Sequence, residues 1–279
     1  MSDSCPYQNL FVYVIEGVVF EEDEAMLGSN FLGNWVEEGM SVLFFSASAA
    51  DYIKKLLDVR MELKVSDEHH FTYEQWQGSE NGPLRVGDFL IVAPWEDSEE
   101  EHGAIKIIID PGVVFGNGLH PTTRDCLKGL SWVWSTCNHD RVIDLGTGTG
   151  ILSIAAAKLG AADVLAVDLN RLCVRTASRN VALNKIDSVV KVMEGAAEAF
   201  VERSADLVMA NIHFPVIEEL IKKRVFSEGE TILVSGLLRS QVNAVLDLIS
   251  HRNLTLLNKW EEDMTWYTIA ARWERRKES

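Results

Sequence analysis

Three alternating glycines, Gly146, Gly148 and Gly150, most constrain what this chain can fold into. They follow a short run rich in apolar residues, 141–145, and precede the apolar, alanine-rich run 151–157. Glycine adopts turn conformations that other residues avoid, and it lets a ligand approach the backbone closely. We therefore expect a strand, a tight turn and a helix here, with a ligand at the turn.

Strands and helices alternate around this loop from about residue 104 to the end. The segments 142–143, 164–167 and 205–210 are almost entirely apolar, as is typical of strands covered on both faces. The pattern predicts an α/β fold with a doubly wound, mostly parallel sheet. Two last segments, 253–260 and 265–273, are expected to form an antiparallel pair at one edge. The other expected strands are 105–109, 141–145, 163–168, 189–193, 206–211 and 230–235, and the expected helices are 121–135, 150–160, 171–184, 197–203, 215–225 and 239–250.

The N-terminal part lacks a glycine loop, and its composition predicts a smaller α+β domain over residues 1–65. A polar connector is expected over 66–103, with a short strand at 89–92 and the acidic run 96–101. The larger domain then covers 104–279. Within the first domain we expect strands at 9–16, 42–47 and 60–65 and helices at 22–32 and 49–57.

The negative charge is confined to the first third of the chain. Residues 1–103 carry 21 Asp and Glu against 5 Lys and Arg, whereas residues 104–279 carry 21 of each sign. Such a surface repels phosphate backbones, so direct nucleic-acid binding is not expected. Two interpretations stay open: the charge attracts a basic protein, or it only keeps the surface solvated.

Several classes of protein are disfavoured by simple counts. No apolar run reaches the 18 or so residues that a membrane span needs, and no secretory signal begins the chain. The four cysteines are scattered, which favours reduced thiols in a cytoplasmic protein. The seven histidines lack the spacing of metal ligands, so no metal site is expected.

The spacing of the glycines discriminates between ligands. A dinucleotide fingerprint needs glycine where this chain has Ile151, and the Gly-Lys-Ser/Thr of a P-loop is absent from the sequence. Asp168 ends the next expected strand, 22 residues after Gly146. Its carboxylate can accept hydrogen bonds from ribose hydroxyls, or it could cap the following helix. A nucleoside without a diphosphate suits this site best.

A second motif narrows the assignment. The run from Asp110 to Thr123 reads Asp-Pro-Gly-x-x-Phe-Gly-x-Gly-x-His-Pro-Thr-Thr, and Ala210-Asn211-Ile212, Ser235-Gly236 and Trp266 follow later. With these segments the chain resembles class I S-adenosylmethionine-dependent methyltransferases and, more narrowly, the ribosomal protein L11 methyltransferase family. The resemblance covers nearly the whole chain, and the N-terminal region would correspond to that family's substrate-recognition domain.

The resemblance implies the cofactor S-adenosylmethionine and an enzyme that methylates lysine or N-terminal amines of a basic protein, ribosomal protein L11. It places Phe115 and Thr123 at the methionine and sulfonium end, Gly146 at the carboxylate, Asp168 at the ribose and Asn211 beside the transferred methyl. The full set of cofactor-binding residues that it implies is Phe115, Gly116, Thr123, Asp144, Gly146, Gly148, Gly150, Asp168, Leu169, Ala196, Ala197 and Asn211.

The catalytic candidates are Asn211, expected to hold the acceptor nitrogen, and His213, the best-placed titratable group. The sequence departs from the family at this point. The family usually has five residues from this asparagine to the next proline, whereas Asn211 and Pro215 are one residue closer and enclose His213 and Phe214. Three alternatives therefore stay open: a different protein acceptor, a small-molecule acceptor, and a module that binds the cofactor without catalysis.

Overall fold

The computed structural model describes residues 5–78, 82–96 and 102–274. The chain divides into two compact units. The first unit comprises the described parts of Met1–Asn81 with Gly112–Val114, and the second comprises those of Gly82–Pro111 with Phe115–Ser279. Most of the predicted acidic run, residues 97–101, lies outside the described residues.

The first unit is an antiparallel four-stranded sheet in the order β2-β3-β1-β4. One face of the sheet buries Tyr13 and Phe45 with Ile53 and Leu56 of a ten-residue helix. The Tyr13 hydroxyl accepts a hydrogen bond from the Ala49 backbone N–H, which fixes the start of that helix. The elements are β1 (Asn9–Glu16), α1 (Glu21–Glu24), β2 (Phe31–Glu37), β3 (Met40–Phe45), α2 (Ala50–Val59), β4 (Lys64–Thr72) and α3 (Tyr73–Gln77).

Two predictions for this unit are wrong. The helix expected over 22–32 is only the single turn α1, because the chain turns at Gly28 with φ of 77° and then enters β2. The strand expected over 60–65 begins at Lys64 and continues to Thr72. This strand lies at the edge of the sheet and is mostly exposed, so it lacks the alternation of apolar and polar residues that predicts strands.

The second unit contains a seven-stranded sheet in the order β10-β9-β8-β11-β12-β14-β13. The first five of these strands are parallel, β14 is antiparallel to β12, and β13 forms the edge. The expected antiparallel pair at one edge is therefore confirmed. The elements are β5 (Leu84–Val86), β6 (Phe89–Val92), β7 (Ile105–Ile108), α4 (Pro121–Thr136), β8 (Arg141–Leu145), α5 (Ile151–Leu159), β9 (Asp163–Asp168), α6 (Arg171–Leu183), β10 (Val190–Glu194), β11 (Leu207–Asn211), α7 (Phe214–Lys223), β12 (Thr231–Leu238), α8 (Arg239–His251), β13 (Leu254–Glu262) and β14 (Trp266–Trp273), with a 3-10 helix at Ala197–Phe200.

Helices cover both faces of this sheet, as the doubly wound fold requires. Val142 of β8 packs in one core with residues of α4, α5 and α6, whereas its neighbour Ile143 packs in a second core with residues of α7 and α8. Successive residues of a strand point to opposite faces, so both must be apolar when both faces are buried. The predicted fold class is confirmed.

The strand order reverses direction between β8 and β11. From β8 the chain proceeds to β9 and β10 on one side, and from β11 it proceeds to β12 on the other. A crevice opens outside the carboxyl ends of the strands at such a switch point, and ligands of open α/β sheets bind there. Asp144, Asp168 and Asn211 lie at or next to these carboxyl ends.

The predicted connector over 66–103 is not a linker. Its first part forms β4 and α3 of the first unit, and its second part contributes β5 and β6 to a separate three-stranded sheet of the second unit. The strand expected at 105–109 is β7, which pairs in parallel with β6 and not with the seven-stranded sheet. All four residues of β6 are buried, so this segment belongs to the core of the second unit.

The described residues contain no helix that is both long and apolar enough to cross a membrane. Within the same residues, no group of three or more His, Cys, Asp or Glu side chains is arranged to hold a metal ion.

Candidate functional site

Asp144 is a buried carboxylate at the base of the glycine loop. Its Oδ2 accepts hydrogen bonds from the hydroxyls of Thr147 and Ser153, both at 2.7 Å. Its Oδ1 is buried and has no hydrogen-bond partner among the described residues. Burial raises the pKa of Asp144 to about 6, and repulsion from the Asp168 carboxylate acts in the same direction. A ligand cation bound near this carboxylate would offset both effects.

The glycine loop touches the backbone of the Asp110–Thr123 segment. Gly148 has φ of 56°, and a Cβ at this position would lie 2.6 Å from the carbonyl oxygen of Phe115. Thr149 fixes the approach, since its backbone N–H donates to that same oxygen at 3.2 Å and its hydroxyl donates to the carbonyl of Gly116 at 2.6 Å. Two segments that the sequence places about 30 residues apart thus form one wall.

Asp168 lies beside the same loop, at the end of β9. Its Oδ2 accepts from the backbone N–H of Gly148 and its Oδ1 from that of Asn170, both at 2.9 Å. The helix α6 is capped by Asn170, whose side chain accepts from the Leu172 N–H. Burial raises the pKa of Asp168. Hydrogen bonds from the backbone of Leu169 and from the Cys173 thiol also reach this carboxylate and lower its pKa.

Three more residues of the predicted cofactor set, Leu169, Ala196 and Ala197, follow Asp168 and β10. Leu169 is 72% exposed, so its side chain projects from the protein next to Asp168. The backbone N–H of Gly195 donates to the Asp168 carbonyl at 2.9 Å, which places Ala196 and Ala197 beside the end of β9. Ala196 precedes the 3-10 helix that begins at Ala197. These residues form a small apolar edge next to the ribose-binding candidate.

Thr123 and Asn211 meet on the other side of the crevice. Thr123 is buried in the first turn of α4, and Nδ2 of Asn211 lies 3.5 Å from its hydroxyl oxygen. Gly236 lies next to this pair on β12, where a Cβ would be 2.7 Å from the Ile212 carbonyl and 3.6 Å from Asn211 Oδ1. The absence of a side chain at 236 leaves the amide oxygen of Asn211 uncovered on that side.

Sequence reasoning assigned no role to His120 or to Trp266, although both belong to the quoted segments. The His120 ring lies between Phe115 and Trp266, with ring centroids 5.1 and 5.3 Å away and planes near perpendicular. Burial lowers the pKa of His120, which favours the neutral imidazole near pH 7. One signal in the sequence could have indicated His120. It directly precedes Pro121 and is the N-cap of α4, whose first turn carries the candidate residue Thr123.

The predicted site residues differ in how directly they contact one another. Direct hydrogen bonds join the segments of Phe115, Gly116, Gly148 and Asp168, and a longer contact joins Thr123 to Asn211. His213 is exposed and directly precedes α7.

The chemistry of these groups fits S-adenosylmethionine. The negative charge of the buried Asp144 carboxylate suits a nearby α-ammonium group, and the Asp168 carboxylate at the end of β9 suits ribose hydroxyls. The glycine loop would allow the close approach that the methionine part needs, and Phe115 and Thr123 are the residues that we expect at its reactive end.

We expect Gly148→Ala to weaken S-adenosylmethionine binding at least tenfold. The added Cβ would meet the Phe115 carbonyl at 2.6 Å, so the two loops must separate. The control is Gly160→Ala, which also has positive φ (114°) but has nothing within 4 Å of the added Cβ. Titration calorimetry should show binding within threefold of wild type for this control; equal weakening by both variants would contradict the loop contact.

We expect Asp144→Asn to stabilise the protein above pH 6 while weakening cofactor binding. Because the pKa of Asp144 is raised in the folded protein, its protonated form stabilises the fold of wild type. This contribution to the free energy of unfolding is lost as pH rises through about 6. The variant cannot ionise, so its free energy of unfolding at pH 7.5 should exceed that of wild type by about 1–3 kcal/mol. Urea unfolding between pH 5 and 8 measures the difference, which should shrink towards pH 5. The exposed Asp163→Asn serves as control, and a difference independent of pH would refute the assignment.

The chain has relatives of known family. The profile of the ribosomal protein L11 methyltransferase family matches residues 24–274. A protein named ribosomal protein L11 methyltransferase from Desulfitobacterium hafniense is 41% identical over 197 residues, which cover 69% of this chain and 62%, less than two thirds, of that protein. A protein of the same name from Listeria welshimeri is 29% identical over 86% of this chain and 81% of its own length. The crystal structure of ribosomal protein L11 methylase from Lactobacillus delbrueckii subsp. bulgaricus superposes with a TM-score of 0.63 at 29% identity and covers 70% of this chain and 100% of that one. The chain belongs to the ribosomal protein L11 methyltransferase family.

Proposed function

We propose that this chain transfers methyl groups from S-adenosylmethionine to amine nitrogens, on lysine side chains or a chain N-terminus, of a basic protein, ribosomal protein L11. The observation that carries the proposal is the meeting of Thr123 and Asn211 at the crevice that the cofactor-binding loops also line. The acceptor is taken from the names of the relatives.

The chemistry makes limited demands on the protein. Bound S-adenosylmethionine supplies a methyl group on a positively charged sulfur, and the amine nitrogen forms its bond to carbon as the carbon–sulfur bond breaks. The protein must align the nitrogen opposite that bond and exclude water. It must also receive the amine without its proton, since an ammonium has no lone pair to donate.

Asn211 is the proposed holder of the acceptor nitrogen. Its Nδ2 faces the hydroxyl of Thr123, which leaves Oδ1 to accept an N–H of the amine. That oxygen lies on the side of Gly236, where no side chain covers it. An amide oxygen held in this way orients the nitrogen lone pair without adding a negative charge that would favour the ammonium form.

Three rings lie side by side at the start of α4, the helix that carries Thr123. Phe115 is 48% exposed, and His120 lies between it and Trp266. Apolar ring faces suit the four methylene groups of a lysine side chain. They also reduce the hydration of the amine, which lowers its pKa and makes the neutral form accessible.

The first unit carries charge that suits a basic acceptor. Its negative side chains are exposed on several elements, so they act on a partner at long range and raise the rate of encounter. The exposed acidic residues in the described part of this unit are Glu16, Glu21, Glu22, Glu37, Glu38, Asp51, Asp58, Glu62, Asp67, Glu68 and Glu74.

We expect Asn211→Ala to lose at least a hundredfold in methyl transfer while binding S-adenosylmethionine within threefold of wild type. The variant removes the amide that orients the acceptor and leaves the glycine loop and Asp168 unchanged. Transfer is measured with radiolabelled cofactor in a lysate, and the labelled protein band is identified by mass spectrometry. Asn258→Ala, on the edge strand β13, is the control and should transfer like wild type.

Each outcome of this assay decides a part of the proposal. Label in a basic protein other than L11 would identify that protein as the acceptor in place of L11. Label in small molecules alone would reject a protein substrate. Cofactor binding without label in any fraction would make the chain a non-catalytic module. Full activity of Asn211→Ala would reject the role of this residue, and no binding by wild type would end the whole proposal.

His213 is the proposed acceptor of the amine proton, because it is exposed two residues after Asn211. We expect His213→Gln to lose ten- to a hundredfold in transfer at pH 7.5. The loss should shrink at pH 9.5, where more of the lysine amine is already neutral. Initial rates at both pH values test this, and an equal loss at each, or none, would remove His213 from the mechanism.

A further inference from the structure

Two asparagines, Asn180 of α6 and Asn184 at the C-cap of that helix, hold the outer edge of β7 and the residues after it. Oδ1 of Asn184 accepts from the Ile108 N–H at 3.0 Å, and its Nδ2 donates to the Ile108 carbonyl at 2.6 Å. One helical turn earlier, Oδ1 of Asn180 accepts from the Asp110 N–H at 2.9 Å, and its Nδ2 donates to the Asp110 carbonyl at 3.1 Å. Both side chains thus replace the backbone partners that a neighbouring strand would supply.

Asn180 and Asn184 differ in the second hydrogen bond that each amide nitrogen donates. Nδ2 of Asn184 donates to the Asn180 carbonyl within the same helix, whereas Nδ2 of Asn180 donates to the carbonyl of Thr149 in the glycine loop, each at 2.8 Å. The side chain is completely buried, and both hydrogens of its amide nitrogen are used. A buried amide in this position joins Asp110, where one loop begins, to the glycine loop.

Thr149 is itself bonded to the far part of the same segment. Its backbone N–H and its hydroxyl donate to the carbonyls of Phe115 and Gly116. The segment from Asp110 to Gly116 is therefore fastened to one residue of the glycine loop at both ends, through Asn180 at the start and through Thr149 directly at the end. Substitution of Asn180 would release one of these two attachments.

We propose that Asn180 is a positioning residue that sets the spacing of the two loops between which S-adenosylmethionine binds. The inference rests on the proposed cofactor site. Asn180 bonds only to backbone groups of Asp110 and Thr149 in the described contacts, so it acts through these loops and not on the reacting atoms. Its loss should raise the KM and Kd for the cofactor more than it lowers kcat.

The test compares Asn180→Ser with Asn184→Ser. Both variants remove one strand-holding amide from the same helix face, but only the first releases Thr149. We expect calorimetry to give an S-adenosylmethionine Kd at least tenfold higher for Asn180→Ser and within threefold of wild type for Asn184→Ser. At saturating cofactor the kcat of Asn180→Ser should fall less than threefold. Melting temperatures are measured for both variants. If the two lose similar stability, the difference in Kd comes from the release of Thr149 and not from general destabilisation.

Two results would overturn the inference: wild-type affinity in folded Asn180→Ser, or equal weakening in both variants. Absence of binding by wild type would instead reject the proposed function. If Asn180→Ser does not fold, hydrogen exchange of the wild-type protein decides. Since linkage is reciprocal, cofactor should slow exchange of the Asp110 amide more than that of Ile108. Equal protection of the two amides would reject the inference.

Discussion

The contact between Gly148 and the Phe115 carbonyl is the interaction on which the rest of the site depends. No residue with a Cβ could bring these two backbones so close, and Thr149 converts the approach into two hydrogen bonds. The strand order of the sheet places this contact at the crevice between β8 and β11. The carboxyl ends of these strands then bring Asp144 and Asn211 to the same opening.

We expect the electrostatics of this crevice to favour a cationic ligand. Asp144 and Asp168 are both held in surroundings that raise their pKa by burial, and their mutual repulsion raises that of Asp144 further. A ligand with an ammonium group and a positively charged sulfur relieves this cost where a diphosphate would increase it. We therefore expect the burial that makes the charged form of Asp144 unfavourable in the free protein to contribute to selection of the cofactor.

Local patterns in the sequence sufficed to predict most strands and helices of the second unit. Parallel strands buried on both faces are apolar throughout, and a strand followed by alternating glycines and a helix has few other structures open to it. The edge strand β4 was predicted too early in the chain because its side chains are mostly exposed and show no alternation. The strands β5 to β7 were not recognised as a sheet because pairing between distant segments leaves no local period. The roles of His120 and Asn180 depend on contacts between distant parts of the chain. His120 contacts Trp266, 146 residues later, and Asn180 contacts Thr149, 31 residues earlier. Sequence spacing alone could not indicate these contacts. The roles of individual site residues remain predictions that the experiments above address.

The central claim is that the methyl donor lies between the two loops with its methyl group directed at Thr123 and Asn211. Nuclear Overhauser effects from S-adenosylmethionine labelled with carbon-13 in the transferred methyl test this geometry without requiring turnover. The account requires cross-peaks from that methyl to the γ-methyl of Thr123 and to the side-chain amide of Asn211. Cross-peaks from the adenine protons to the protein, with none from the labelled methyl to either residue, would contradict it.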